Sequence, residues 1–101
     1  MKQNQENLDL LRMISKKPQV SQRILADELG FSLGKLNYLI NALKKKGLIK
    51  IKNFKNNKNK INYIYILTPK GITKKSFLTI NFMKRKMKEY EELKRELENN
   101  K

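Results

Sequence analysis

From Leu8 to Leu43 the apolar residues recur every three or four positions. From Leu48 to Leu67 they alternate with polar residues or run together, and after Pro69 the three-four spacing returns. The pattern predicts three helices, two strands and a long last helix. The first helix covers about residues 4 to 17, with Leu8, Leu11, Met13 and Ile14 on its apolar side and Pro18 at its end. In QRILADEL, Ser21 is the N-cap, Val20 staples to Leu25 and Gly30 stops the helix. Phe31-Ser32 repeats the device for LGKLNYLINALKKKG, with Phe31 stapled to Leu36 and a stop at Gly47. Leu36, Leu39, Ile40 and Leu43 form one stripe, leaving Gly34, Lys35, Asn37, Tyr38, Asn41 and Lys45 on the other side. Two short helices joined by a tight glycine-containing turn meet the requirement of a helix-turn-helix.

LIKIKNF and INYIYIL read as antiparallel strands. Between them KNNKNK can turn without glycine or proline, because asparagine tolerates left-handed backbone geometry. Thr68-Pro69 then caps a helix that runs to about Asn99, ~45 Å at 1.5 Å per residue and too long to lie wholly against so small a body. Ile80, Met83, Met87, Tyr90 and Leu97 repeat at coiled-coil spacing, interrupted by Lys94 and flanked by Leu93. A partner helix, most simply from a second copy, is expected to cover them. Arg85–Glu89, Lys88–Glu92 and Glu91–Arg95 are i, i+4 pairs on the remaining faces. The expected fold is mostly α with a small β-hairpin. A winged helix-turn-helix domain would occupy residues 1–68, and a C-terminal dimerisation helix residues 69–101.

Charge gives this outline a direction. The 101 residues carry a formal +15, and no acid occurs between Glu28 and Glu89. All the excess falls in that acid-free block, since the flanks roughly cancel. An anionic partner is expected there, and the hairpin tip NFKNNKNKIN lies in its middle. With no cysteine and no histidine, disulfides, thiolate redox chemistry, the common zinc sites and histidine acid–base catalysis are excluded. No nucleophile–base pair, metal cluster or glycine-rich phosphate loop is present, so neither an enzyme nor a cofactor is expected. No apolar run reaches the ~20 residues of a membrane span and the N-terminus lacks a signal-peptide core, which reads as a cytoplasmic chain without a membrane partner.

In a winged helix-turn-helix the third helix enters the major groove and the wing meets the flanking backbone or minor groove. Lys35 sits in the first turn of that helix, where the macrodipole disfavours a cation unless an anion approaches, and DNA supplies one. Asn37 and Asn41 suit adenine edges, and Tyr38 suits a phosphate or a thymine methyl. Lys44, Lys45 and Lys46 lie in the last turn, where they serve equally as dipole partners or phosphate ligands. Lys50 and Lys52 alternate with Ile49 and Ile51 and face outward. Lys55, Lys58, Asn59 and Lys60 make up the wing, while Tyr63 and Tyr65 read as hairpin packing.

SQRILADELGFSLGKLNYLINALKKKGLIKIKNF, followed by YIYILTPKGI and FMKRKMKEYEELKRELE, resembles the MarR-type winged-helix regulators. Within them the similarity is greatest to the small branch of exopolysaccharide (EPS)-associated transcriptional regulators. It runs from about Leu8 to Glu98, and its most specific element is the LTPKGI junction with the helix that follows. The resemblance implies that Leu33, Gly34, Lys35, Asn37 and Tyr38 lie where the fold reads bases and that residues around Lys58 to Lys60 form the wing; Ser32, the cap, is counted with the DNA-binding set. It also implies a homodimer joined mainly by the last helix, through Ile80, Met83, Met87, Tyr90, Leu93 and Leu97. It names exopolysaccharide-gene regulation as the context and leaves any small-molecule effector unknown. The chain departs from the broader pattern at Asn59-Lys60-Ile61, where typical wings carry an Asp-x-Arg element. A sequence-specific regulator of double-stranded DNA is the leading expectation. A protein–protein module built on the last helix and a non-specific DNA- or RNA-binding protein remain alternatives.

Overall fold

The computed structural model describes residues 2–17, 20–55 and 61–100, with side chains omitted at 2, 3, 53–55, 61 and 62. Helices α1 (Lys2–Lys16), α2 (Gln22–Leu29) and α3 (Leu33–Lys45) precede strands β1 (Ile49–Lys55) and β2 (Ile61–Leu67), and α4 (Pro69–Asn99) closes the chain. Element order and type are those that the apolar spacing predicts. Pro18 and the wing tip at Lys58, Asn59 and Lys60 lie outside the described residues.

Each boundary has a local cause. Ser21 Oγ accepts from Ile24 N–H at 3.2 Å and Ser32 Oγ from Lys35 N–H at 3.1 Å, so both predicted serine caps are made. Gly30 closes α2 at φ 72°, in the left-handed region where glycine carries no Cβ penalty. Gly47 does the same after α3 at φ 76°.

The core draws on every element. Leu8, Leu11 and Ile14 of α1 meet Leu25 of α2, the Leu36–Leu43 stripe of α3, Leu48 and Ile49, Tyr65 and Leu78. Leu10 is fully buried and Met13 only partly, so the buried side of α1 is shifted from the one read in the sequence. The strands pair antiparallel with Ile49 opposite Leu67, Ile51 opposite Tyr65 and Asn53 opposite Tyr63. Alternation turns Ile49 and Tyr65 inward and leaves Lys50 and Lys52 exposed, as expected. Tyr63 shares Tyr65's face but lies beyond the core and is exposed.

The core continues past residue 68 into α4. Thr68 Oγ1 accepts from Gly71 N–H at 3.0 Å as the N-cap and donates to the Gly47 carbonyl at 2.6 Å. Its N–H reaches the Leu48 carbonyl at 3.0 Å. Gly71 is buried against that same Leu48 carbonyl, and a Cβ there would collide with its oxygen. Farther along, α4 leaves the body: the radius of gyration is 17.4 Å, against ~13 Å for a compact chain of this length. Of the predicted helix pairs, Glu89 is instead met by Lys86 at 3.4 Å. Arg85 is turned toward α1 and reaches Gln5 Oε1 at 3.5 Å.

Two substitutions test this core. Gly71→Ala drives a methyl into backbone that cannot retreat without breaking the Thr68 contact. It is expected to cost ~1–3 kcal/mol and to lower the Tm in a thermal melt by several degrees. Among the described residues the buried Tyr65 hydroxyl has no hydrogen-bond partner. Burial raises its pKa above 10.0; the Gln22 side chain opposes the rise, and Tyr63 adds to it. Because the folded-state pKa lies above the unfolded one, this stabilisation is full below pH ~10 and is lost as pH rises through the folded value. Tyr65→Phe is expected to flatten the alkaline fall in stability, measured by urea melts from pH 8 to 11.

Candidate nucleic-acid interface

Burial of Leu36, Leu39, Ile40 and Leu43 fixes the rotation of α3 about its axis. The opposite side therefore faces out. Leu33, Gly34, Asn37, Tyr38, Asn41 and Lys45 are all exposed, Tyr38 at 66%. None of the Asn37, Tyr38 or Asn41 side chains has a hydrogen-bond partner among the described residues. Ser32 is exposed as well, but its hydroxyl is committed to the cap.

Lys35 differs from the expectation. Its ammonium pairs with Glu6 of α1 and lies 4.8 Å from the centroid of the Phe31 ring, and the residue is only partly exposed. The anion that a cation at this helix N-terminus calls for is supplied within the chain. Sequence reasoning missed Glu6, because nothing local to α1 or α3 signals a contact between elements so far apart in the chain. The Phe31 ring beside Lys35 is partly buried on the core.

Gly34 carries a separate signal. Its φ is not positive, and a Cβ placed on it would meet no atom within 4 Å. Neither backbone conformation nor internal packing asks for glycine here, although glycine lowers helix stability by up to ~1 kcal/mol relative to alanine. An exposed first-turn position without a side chain suits close approach by something from outside.

On the hairpin, Lys50 and Lys52 project from the outward face of β1. Lys55 ends that strand opposite Ile61, and its side chain is among those not described. Lys44, Lys45 and Lys46 close α3, and the Lys46 N–H bonds the Ala42 carbonyl at 3.1 Å. The outward surface from α3 to β1 thus combines amide, phenol and ammonium groups with no acid. Such a surface can donate to phosphates and pair with base edges.

Among the described residues, an open cleft of about 310 Å³ between α1 and α2 is lined by Asp9, Arg12, Met13, Lys16, Glu28 and Leu29. A shallow cleft of about 190 Å³ between α1 and α4 is lined by Asn4, Leu8, Leu78, Asn81 and Arg85. Among the described residues no acid cluster could hold a metal ion, and no helix is long and apolar enough to cross a membrane.

Residues 7–50 match the family model described as winged helix-turn-helix DNA-binding. A comparison with curated protein sequences finds no match. Among solved structures, the chain is similar to Staphylococcus aureus MarR in complex with salicylate and kanamycin. That match has a TM-score of 0.66 at 19% identity and covers 85% of this chain and 56% of that one. The PcaV transcriptional regulator of Streptomyces coelicolor matches with a TM-score of 0.64 at 15% identity, over 77% of this chain and 54% of that one. The adhesin competence repressor AdcR of Streptococcus pyogenes matches with a TM-score of 0.63 at 19% identity, over 87% and 63%. This chain therefore spans between 54% and 63% of the length of these three proteins. Its fold is that of these MarR-type winged-helix structures, and its first half is similar to the winged helix-turn-helix DNA-binding family.

Gly34→Ala separates the two demands on the first turn of α3. The variant is expected to melt higher, by up to ~1 kcal/mol in stability. It is expected to bind duplex DNA more weakly than the parent, as read by fluorescence anisotropy on a labelled duplex.

Proposed function

We propose that this chain is a sequence-specific, double-stranded-DNA-binding transcriptional regulator that acts as a homodimer. The observation that carries the reading is the outward side of α3. Gly34, Asn37, Tyr38 and Asn41 are exposed there, and no acid occurs anywhere from Leu29 to Lys88. In the proposed complex α3 lies in the major groove with Asn37 and Asn41 on base edges and Tyr38 beside a phosphate or thymine methyl. Lys52, Lys55, Lys58, Asn59 and Lys60 form a wing that neutralises flanking phosphates. Lys35 takes part only if phosphate displaces Glu6 from its ammonium. The matched family is a DNA-binding one, and the similar structures are those of regulators rather than enzymes.

The homodimer is supported by the second half of α4. Ile80, Met83, Met87, Tyr90, Leu93 and Leu97 are each more than half exposed along one stripe of a helix that has left the body. Such an apolar stripe, interrupted only by Lys94, calls for a cover on an exposed helix. Cytoplasmic location follows from a DNA partner. The narrower reading, an operator beside exopolysaccharide-biosynthesis genes, rests on the sequence resemblance alone.

Selection of random-sequence duplexes by the purified chain at ~150 mM salt tests this function. An enriched inverted repeat is expected, and its genomic position decides the exopolysaccharide reading. Log affinity for the selected duplex is expected to fall with log salt at about −0.9 per phosphate neutralised. Replacing both Asn37 and Asn41 with alanine is expected to cost ~1–3 kcal/mol per lost base contact while leaving binding to scrambled duplex nearly unchanged. Equal affinity for selected and scrambled sequences would sink the operator-reading role.

A further inference from the structure

The exposed stripe of α4 also specifies how a second copy would lie on it. Gly71 and Leu78, buried against the body, are seven residues apart and so share one side of the helix. With Ile80 at heptad position a, the stripe reads Ile80, Met87 and Lys94 at a and Met83, Tyr90 and Leu97 at d, and Leu78 falls at f, opposite the seam. The helix is thus divided by face: the body packs on one side, and the seam is free on the other.

Charge along the second half of α4 is polarised. Lys84, Arg85, Lys86 and Lys88 form a wholly basic run. The segment from Glu89 to Glu98 carries five glutamates against Lys94 and Arg95. Parallel, in-register pairing would place the basic run on its own copy and Lys94 on the partner's Lys94. It would gain Lys86 against the partner's Glu91 on each flank, as many ion pairs as antiparallel pairing gains between Lys84 and the partner's Glu91, so the difference rests on Lys94 and on the like-charged runs laid side by side. Antiparallel pairing lays the basic run on the partner's acidic segment. It matches Ile80 with the partner's Leu97 and Met87 with the partner's Tyr90, and brings Lys84 to the partner's Glu91. Lys94 then meets the partner's Met83, past which its long stem can carry the ammonium to water.

We infer that two copies of this chain associate through an antiparallel pairing of α4, centred between Lys88 and Glu89, with Ile80 against the partner's Leu97. The inference deepens the homodimer of the proposed function. In this register the two Leu78 positions are offset by ~31 Å along the helix axis, at 1.5 Å per residue. The two bodies then sit toward opposite ends of the pair. That offset is on the scale of the ~34 Å between half-site centres on DNA.

The chain has no cysteine, so introduced thiols report geometry without background. Full-length Ile80→Cys and Leu97→Cys proteins, each alone and as a mixture, would be air-oxidised at a concentration where sedimentation shows the parent chain to be dimeric. A mixed disulfide is expected to exceed either homodisulfide several-fold. Both sites lie on the exposed half of α4, so neither change disturbs the core. Efficient crosslinking of Leu97→Cys to itself would mean parallel pairing and overturn the inference. A parent chain that stays monomeric at tens of micromolar would overturn it too. Duplex binding, followed on the same proteins, keeps the two readings apart. A monomer that still prefers the selected duplex leaves the DNA reading standing, and a crosslinked antiparallel dimer without sequence preference removes only the DNA reading.

Discussion

The structure turns on the contact between Thr68 and the turn that follows α3. One side chain caps α4 through Gly71 N–H, donates to the Gly47 carbonyl and sits on a residue whose own N–H holds the Leu48 carbonyl. Gly71 closes the gap by approaching Leu48 more nearly than any residue with a Cβ could. These groups lie at three junctions together: the end of α3, the base of the hairpin and the start of α4. Fixing them sets the direction of α4 relative to α3. Any spacing between two α3 helices carried by paired α4 helices depends on that angle, so this small backbone knot governs geometry well beyond its own contacts.

The electrostatic arrangement follows a similar economy. Four acids precede Leu29, and two of them are spent on lysines of the body: Glu6 pairs with Lys35 and Glu28 with Lys17 at 2.6 Å. Neither pair is fully buried, so each contributes modestly to stability. Their larger effect is on what remains unpaired. Removing Lys35 from the set of free cations leaves the outward side of α3 with amide and phenol groups near its middle and lysines at its C-terminal end and on the hairpin. Amides read base edges, whereas ammonium groups neutralise phosphate and carry little sequence information. The division suits a surface whose centre discriminates and whose margin attracts.

Much of this was legible from the chain. The serine caps at Ser21 and Ser32, the glycine stops and the alternation of Lys50 and Lys52 with isoleucines are local rules, and the structure obeys them. The exposed set on α3 follows from helical periodicity once Leu36, Leu39, Ile40 and Leu43 are taken as core. Contacts between distant elements were not legible. The Glu6–Lys35 pair, the Arg85–Gln5 contact and the close approach of Gly71 to Leu48 depend on how α1, α3 and α4 cross, which no local spacing encodes. Gly34 is intermediate. Its place on the outward side follows from helical periodicity, but only the empty space around it shows that the fold itself does not require glycine there.

The division of α4 by face ties the fold to its association. Leu78 stands on the side of α4 that the body buries, and Ile80, two residues on, stands on the opposite side and is left free. The transition is therefore abrupt, and the residues that hold α4 to the body are not those that make up the exposed stripe. Covering the stripe requires no repacking of the core, because no side chain is asked to serve both. Conversely, a change confined to Met87, Tyr90 or Leu97 alters only surface that the folded body does not use. Pairing of the helix would therefore stabilise the folded chain by mass action without altering the packing of the body. The stiffness of an unbroken helix carries orientation from the Thr68 contact to the far end of α4.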